Sequence, residues 1–405
     1  MLRHVRSVLV RAPHVRLRHL RRLDDRIAAH LDGVAVAGAY GASVCQAALE
    51  RAGAGEVFAC AVRALEDHDD AALERLFAIA ALLPDAKRGL LSAFGWVSAP
   101  VLQGVVRALL ASPMPLRREV AIAACRLHRV DPGPALIAAL GDPEAGLRTE
   151  AARALGELGR TDVLPSLLDA LADADAEVAF RAAVAACLLG DRGDALAALE
   201  HLAQPGQPLA ERARLPWLLA CGVDRGHEHV QALGQAAANG AGPAKRQLIR
   251  ACGWLGDTAA VPWLIDLMGD DVQARIAGEA FSLMTGADLA LLDLERKPPA
   301  NAPNGPNDDP ADTDVALDED ESLPWPDAAL VRRWWQAQGP TMPAAGARSF
   351  MGAPPSAAHG ATVLRDATQR QRLVAAQWVC LLAPGTPLFP VCAPSWRQQR
   401  LLSCG

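Results

Sequence analysis

Cys221, His227, Glu228 and His229 are the residues whose types and spacing come nearest to a metal site in this chain. Imidazoles and a thiolate bind zinc when they converge on one point. Residues two apart on a helix point roughly 200° apart, so His227 and His229 cannot both ligate from one helix face. On a loop they could, but no second Cys/His cluster completes the shell. The expectation is therefore no metal and no cofactor. A second candidate is the acidic run of Asp308, Asp309, Asp312, Asp314, Asp318, Glu319, Asp320 and Glu321. It lacks the glycine and ligand spacing of a calcium loop. A block of like charges is ordinarily a solvated linker. Glu279 stands in an apolar helix four residues after Arg275, a spacing that suits a surface ion pair. There is no Ser/His/Asp order, phosphate-binding glycine loop or supported pair of catalytic carboxylates, so no residue is given a catalytic role. Trp325, Trp334 and Trp335 are large anchors. They suit a partner-binding hot spot or the docking of a terminal segment on its own helices, and docking is favoured because the end of a helical array exposes apolar surface.

The elements that must position these residues are set by a repeat. Pro134, Asp142, Leu147 and Gly159 recur 31 positions later as Pro165, Asp173, Val178 and Gly190. Each unit reads as a short apolar helix, a turn with Asp, a longer Ala/Leu helix and a glycine. Such a period marks an α-solenoid, an all-α fold. In the longer helix Leu116, Leu147, Val178 and Leu209 share one column, and Val120, Ala151, Ala182 and Ala213 share another four residues on. The second column is short throughout, which lets helices approach closely. Pro216 should kink or split the fourth copy. Gly256 and Pro262 then repeat the spacing of Gly159 and Pro165, with an insertion expected near Pro205, Gly206 and Pro208. About seven helix pairs are expected between roughly residue 40 and residue 295.

The motif GDP-x-x-x-x-R-x-x-A-A-x-A-L-G, met by Gly141–Gly156 with Arg148, Ala151, Ala152, Ala154 and Leu155, resembles the HEAT family in its short bacterial form, the PBS-lyase HEAT-like repeats. AHLDG (29–33), GEAFSLMTGADL (278–289), DESLPWPD (320–327) and APSWRQQRLL (393–402) extend the likeness to a proteobacterial group of HEAT-like proteins without an assigned activity. Some members lie beside type VI secretion genes, which implies an accessory or adaptor role. HEAT-built di-iron hydroxylases carry several His-Glu pairs, whereas His227-Glu228 stands alone here.

The 405 residues are 51% hydrophobic and only 4% aromatic, enough for a large core built from small side chains. A net charge of −6 counts against nucleic acid as a partner. Nine cysteines without a CxxC pair suit a reducing cytoplasm. Residues 1–32 form a basic segment in which Leu17, Leu20, Leu23, Ile27 and Leu31 mark the buried stripe of a surface helix. Gly33 to Leu49 carries no charge. Its length falls short of a membrane span, so it is expected to be a buried helix without membrane insertion. The solenoid is placed at 33–295, a Pro-rich acidic linker at 296–322, and a C-terminal helical segment docked on the solenoid at 323–405, with helices over 323–339 and Thr362–Leu382. The expected function is a non-enzymatic scaffold or adaptor for a protein partner, possible partner contacts being Trp325, Trp334 and Trp335. The alternatives are an enzyme or accessory of the bilin-lyase class and a nucleic-acid-binding HEAT protein.

Overall fold

The structure, a computed structural model, describes residues 1–239, 242–300, 302 and 318–403. Among them the regular elements are helices, with isolated β-bridges and no strand. The fold is an all-α solenoid. Two compact units divide the chain: Met1–Ala198 with Leu364–Gly405, and Leu199–Val363. The expected 323–405 segment is thus shared between them.

The repeat predicts its helices well. The long helices are Pro115–His128, Ala145–Leu158, Ala176–Leu188 and Ala210–Ala220. Val120, Ala151, Ala182 and Ala213 are wholly buried. In the first unit, a methyl group on Gly156 would sit 2.6 Å from Ala185 Cα, so the two helices touch almost backbone to backbone. Pro134 and Pro165 stand in the first turns of short helices, where a missing amide costs nothing. Gly159 ends its helix at φ 76°, a conformation that suits a residue without Cβ. Pro216 does not split its helix, which runs through to Ala220 with Trp217, Leu218 and Leu219 buried behind the proline. That burial outweighs one lost backbone bond.

An ion-pair ladder follows the same step. Arg118 reaches Asp142 at 2.5 Å, and Arg148 reaches Asp173 with two bonds of 2.7 and 2.8 Å. Arg148 also donates to the Asp142 and Pro143 carbonyls. This accounts for the aspartate and arginine of the motif: each arginine ties its own turn to the next. In the second unit Lys245 and Asp270 approach to 3.6 Å in the same relation.

The tail closes the C-terminal ends of the long helices. In the first unit, Leu388 donates its amide to the Glu157 carbonyl, and Gly385 passes so close to Gly159 that no Cβ would fit there. Further along, Arg397 donates to the carbonyls of Gly95, Val97 and Leu127. In the second unit Arg348 donates to Leu218, Cys221 and Leu255, while the amides of Ser349 and Met351 reach Gly256 and Leu283. These carbonyls have no partner within their helices.

Two expectations fail locally. Residues 362–382 are not one helix. Ala357–Asp366 ends and Gln369–Leu382 begins at Thr368, whose capping box with Gln371 makes a new start. Gly33–Leu49 is not a buried helix either. It turns a corner between the helices Leu17–Val36 and Gly38–Ala48, and only Gly41 within it is buried. The stripe from Leu17 to Leu31 is buried as expected.

Replacing Ala182 with Leu should push the touching helices apart and lower unfolding free energy by about 1–3 kcal/mol. Chemical denaturation reads this directly, and an unchanged midpoint would contradict the close approach.

Candidate functional site

The histidine candidates sit on the helix Val223–Asn239 and diverge as its geometry requires. His227 Nε2 meets Asp257 Oδ2 at 2.5 Å. His229 is buried, its ring 4.8 Å from that of Trp217, and neither of its nitrogens has a hydrogen-bond partner. Burial, assisted by Arg214, lowers its pKa to about 4, so the ring is neutral. Cys221 is buried beside Arg348. The helix therefore does not bring the two rings and the thiol together, and no group of three metal-ligating side chains converges among the described residues.

The acidic run divides. Asp308, Asp309, Asp312 and Asp314 lie outside the described residues. Asp318, Glu319 and Asp320 are tied down by ion pairs, although Glu319 stays exposed. Asp320 is buried and takes two 2.7 Å bonds from Arg246, Asp318 pairs with Arg275, and Glu319 pairs with Arg246 and Arg250. Three arginines on two neighbouring helices hold this end of the segment, so charge repulsion does not keep it free. Arg275 also lies over the ring of Trp325 at 4.6 Å.

The three tryptophans are packed within their unit. Trp325 is buried, and Trp334 and Trp335 are half-buried with their rings edge-on to Phe281. They fix the helix Ala328–Gln338, shorter than the expected 323–339, which starts on the Asp327 carboxylate. Full burial of an apolar side chain contributes roughly 1.5–3 kcal/mol, and the half-buried Trp334 and Trp335 contribute correspondingly less than full burial would.

Sequence reasoning missed a buried ionic cluster in the first unit. Arg126 contacts Glu150 at 2.6 Å and Glu157 at 3.2 Å, and Arg129 and Arg153 also reach Glu157. Burial disfavours the Glu157 charge, but three guanidinium groups outweigh it and hold the carboxyl well below its usual range. A carboxylate so held is a poor proton acceptor at neutral pH. The signal was Glu150 and Glu157 seven residues apart on one helix face, opposite Arg126. Thiols fare no better as nucleophiles: burial pushes Cys187, Cys252 and Cys380 up to about 12. A cleft of about 160 Å³ is lined by Leu110, Ile122 and Ala135, with the Arg118–Asp142 pair at its wall. Those two charges satisfy one another.

Comparison with known proteins agrees with the architecture. Residues 102–188 and 133–215 match the HEAT repeats family, and residues 244–270 match the PBS lyase HEAT-like repeat. No curated protein and no solved structure matches the chain.

His128 is likewise lowered to about 4, by burial and then Arg397. Both histidines take up a proton near pH 6.5 when unfolded and only near pH 4 when folded. Their contribution is thus complete above pH 6.5 and is lost as pH falls from 6.5 towards 4, at up to about 1.4 kcal/mol per pH unit for each. Denaturation midpoints across this range should fall with acidification, and less steeply in His128→Gln/His229→Gln. An identical slope in that variant would refute the assignment.

Proposed function

We propose that this HEAT-like repeat protein is a non-enzymatic scaffold or adaptor that binds a protein partner. The supporting observation is the engagement of its chemistry-bearing groups in packing. His227, Asp320 and Glu157 are hydrogen-bonded to neighbours, and His229 and most of the cysteine thiols are buried. A stack of helix pairs offers instead an extended surface of fixed spacing, which suits recognition of another chain. HEAT repeats commonly serve as protein-interaction scaffolds. The resemblance to proteins found beside secretion genes adds the narrower proposal that this partner belongs to a bacterial secretion apparatus.

The test is capture with the tagged full-length chain, identification of retained proteins by mass spectrometry, and calorimetric titration with the purified candidate. One protein binding at fixed stoichiometry, with nuclease and chelator without effect, is the expected result. Retention of nucleic acid alone, or turnover of a bilin adduct by the purified chain, would overturn the reading.

A further inference from the structure

The corner formed by Leu17–Val36 and Gly38–Ala48 presents an uncharged, exposed surface where composition suggested a buried one. The two helices meet at 115°, with Gly38 at φ 55° in the joint. Val36 is 88% exposed, Tyr40 73% and Val44 47%. Tyr40 is the single tyrosine of the chain. Solvent contact at three such residues, within a stretch free of charge from Gly33 to Leu49, is costly unless something covers it.

What covers it is indicated by the adjoining charge. The inner side of Leu17–Val36 is buried through Leu20, Leu23, Ile27 and Leu31. Its outer side carries Arg18, Arg22 and Arg26 at steps of four residues, all exposed. Arg22 and Arg26 make no ion pair among the described residues. The nearby acids only partly offset them: Asp24 is buried against Arg6, Asp25 pairs with Arg21, and Asp32 is exposed. A basic face therefore leads directly into an apolar corner ending in an aromatic ring, on a chain whose net charge is −6.

We propose that this corner docks the protein on an anionic lipid surface, with the arginines on lipid phosphates and Val36, Tyr40 and Val44 at the boundary between headgroups and acyl chains. Basic residues flanking exposed apolar and aromatic side chains are what such an interface selects. Nucleic acid would use the arginines but gain nothing from the apolar corner. A second copy of this chain would bring two basic faces together. The docking proposed is peripheral: the pair Leu17–Val36 and Gly38–Arg51 is long and apolar enough only when taken together, and it bends by 115° at the joint. The proposal is independent of the protein-binding role.

Sedimentation of the full chain with phosphatidylcholine vesicles, with and without phosphatidylglycerol, tests it. Binding is expected only when the anionic lipid is present, and should weaken with salt. Arg18→Glu/Arg22→Glu/Arg26→Glu and Val36→Ser/Tyr40→Ser should each reduce it about tenfold or more. The substituted side chains are exposed, so circular dichroism and melting should match the parent. Arg18→Lys/Arg22→Lys/Arg26→Lys should retain binding. Absence of vesicle binding overturns the proposal. So does undiminished binding by Val36→Ser/Tyr40→Ser, which would leave a purely electrostatic face of the kind nucleic acid uses. Conversion of a dimer to a monomer by that variant would assign the corner to a second copy, and would equally overturn it.

Discussion

Carbonyl groups at the C-terminal ends of the long helices are the constraint on which the rest of this structure depends. Stacking helices through alanine and glycine brings their ends side by side, each with acceptors that the helix cannot satisfy. A buried acceptor left without a donor costs about 1–3 kcal/mol. The chain meets this in both units with segments distant in sequence. Arg348 and the amides after it serve one unit; Leu388 and Arg397 serve the other. Cations also suit the negative end of the helix dipole. Burial, with Arg400 and Arg6 nearby, lowers Arg397 to about 10, yet it remains charged at neutral pH.

This division of labour explains what could be read from the sequence. The repeat is local. Gly159, Pro165 and the alanine columns act on neighbours one period away, so periodicity alone finds the helices and the close packing. Arg397 acts on Val97, 300 residues away, and its partner is a backbone carbonyl that leaves no mark in the sequence. Asp320 likewise looked like part of a solvated acidic run because its partner Arg246 lies 74 residues earlier. The break at Thr368 was legible, since Thr368 and Gln371 form a capping box, but the apolar pattern on either side concealed it. At Gly33–Leu49 composition misled: uncharged residues are common both in cores and at surfaces that meet apolar partners, and only the fold distinguishes the two.

In the candidate site, what was legible was the divergence of the histidine side chains. Helix geometry separates His227 from His229 in the sequence as in the structure, and the tryptophans pack as anchors for their own unit. The cluster around Glu157 was not foreseen, because Arg126, Arg129 and Arg153 are unremarkable on a helix surface until two helices meet. Removing one member of a buried charged cluster is far more damaging than its net contribution suggests, since the others lose their counter-charge. Binding surfaces are therefore better sought on the exposed corner and flanks than in these buried contacts.

Hydrogen exchange on the full chain carrying Arg397→Met tests the tail-capping account most directly. The account predicts that amide exchange in the last turns of Pro84–Trp96 and Pro115–His128 rises about tenfold or more, while the middle of each helix stays protected. Unchanged exchange in those two turns would contradict it.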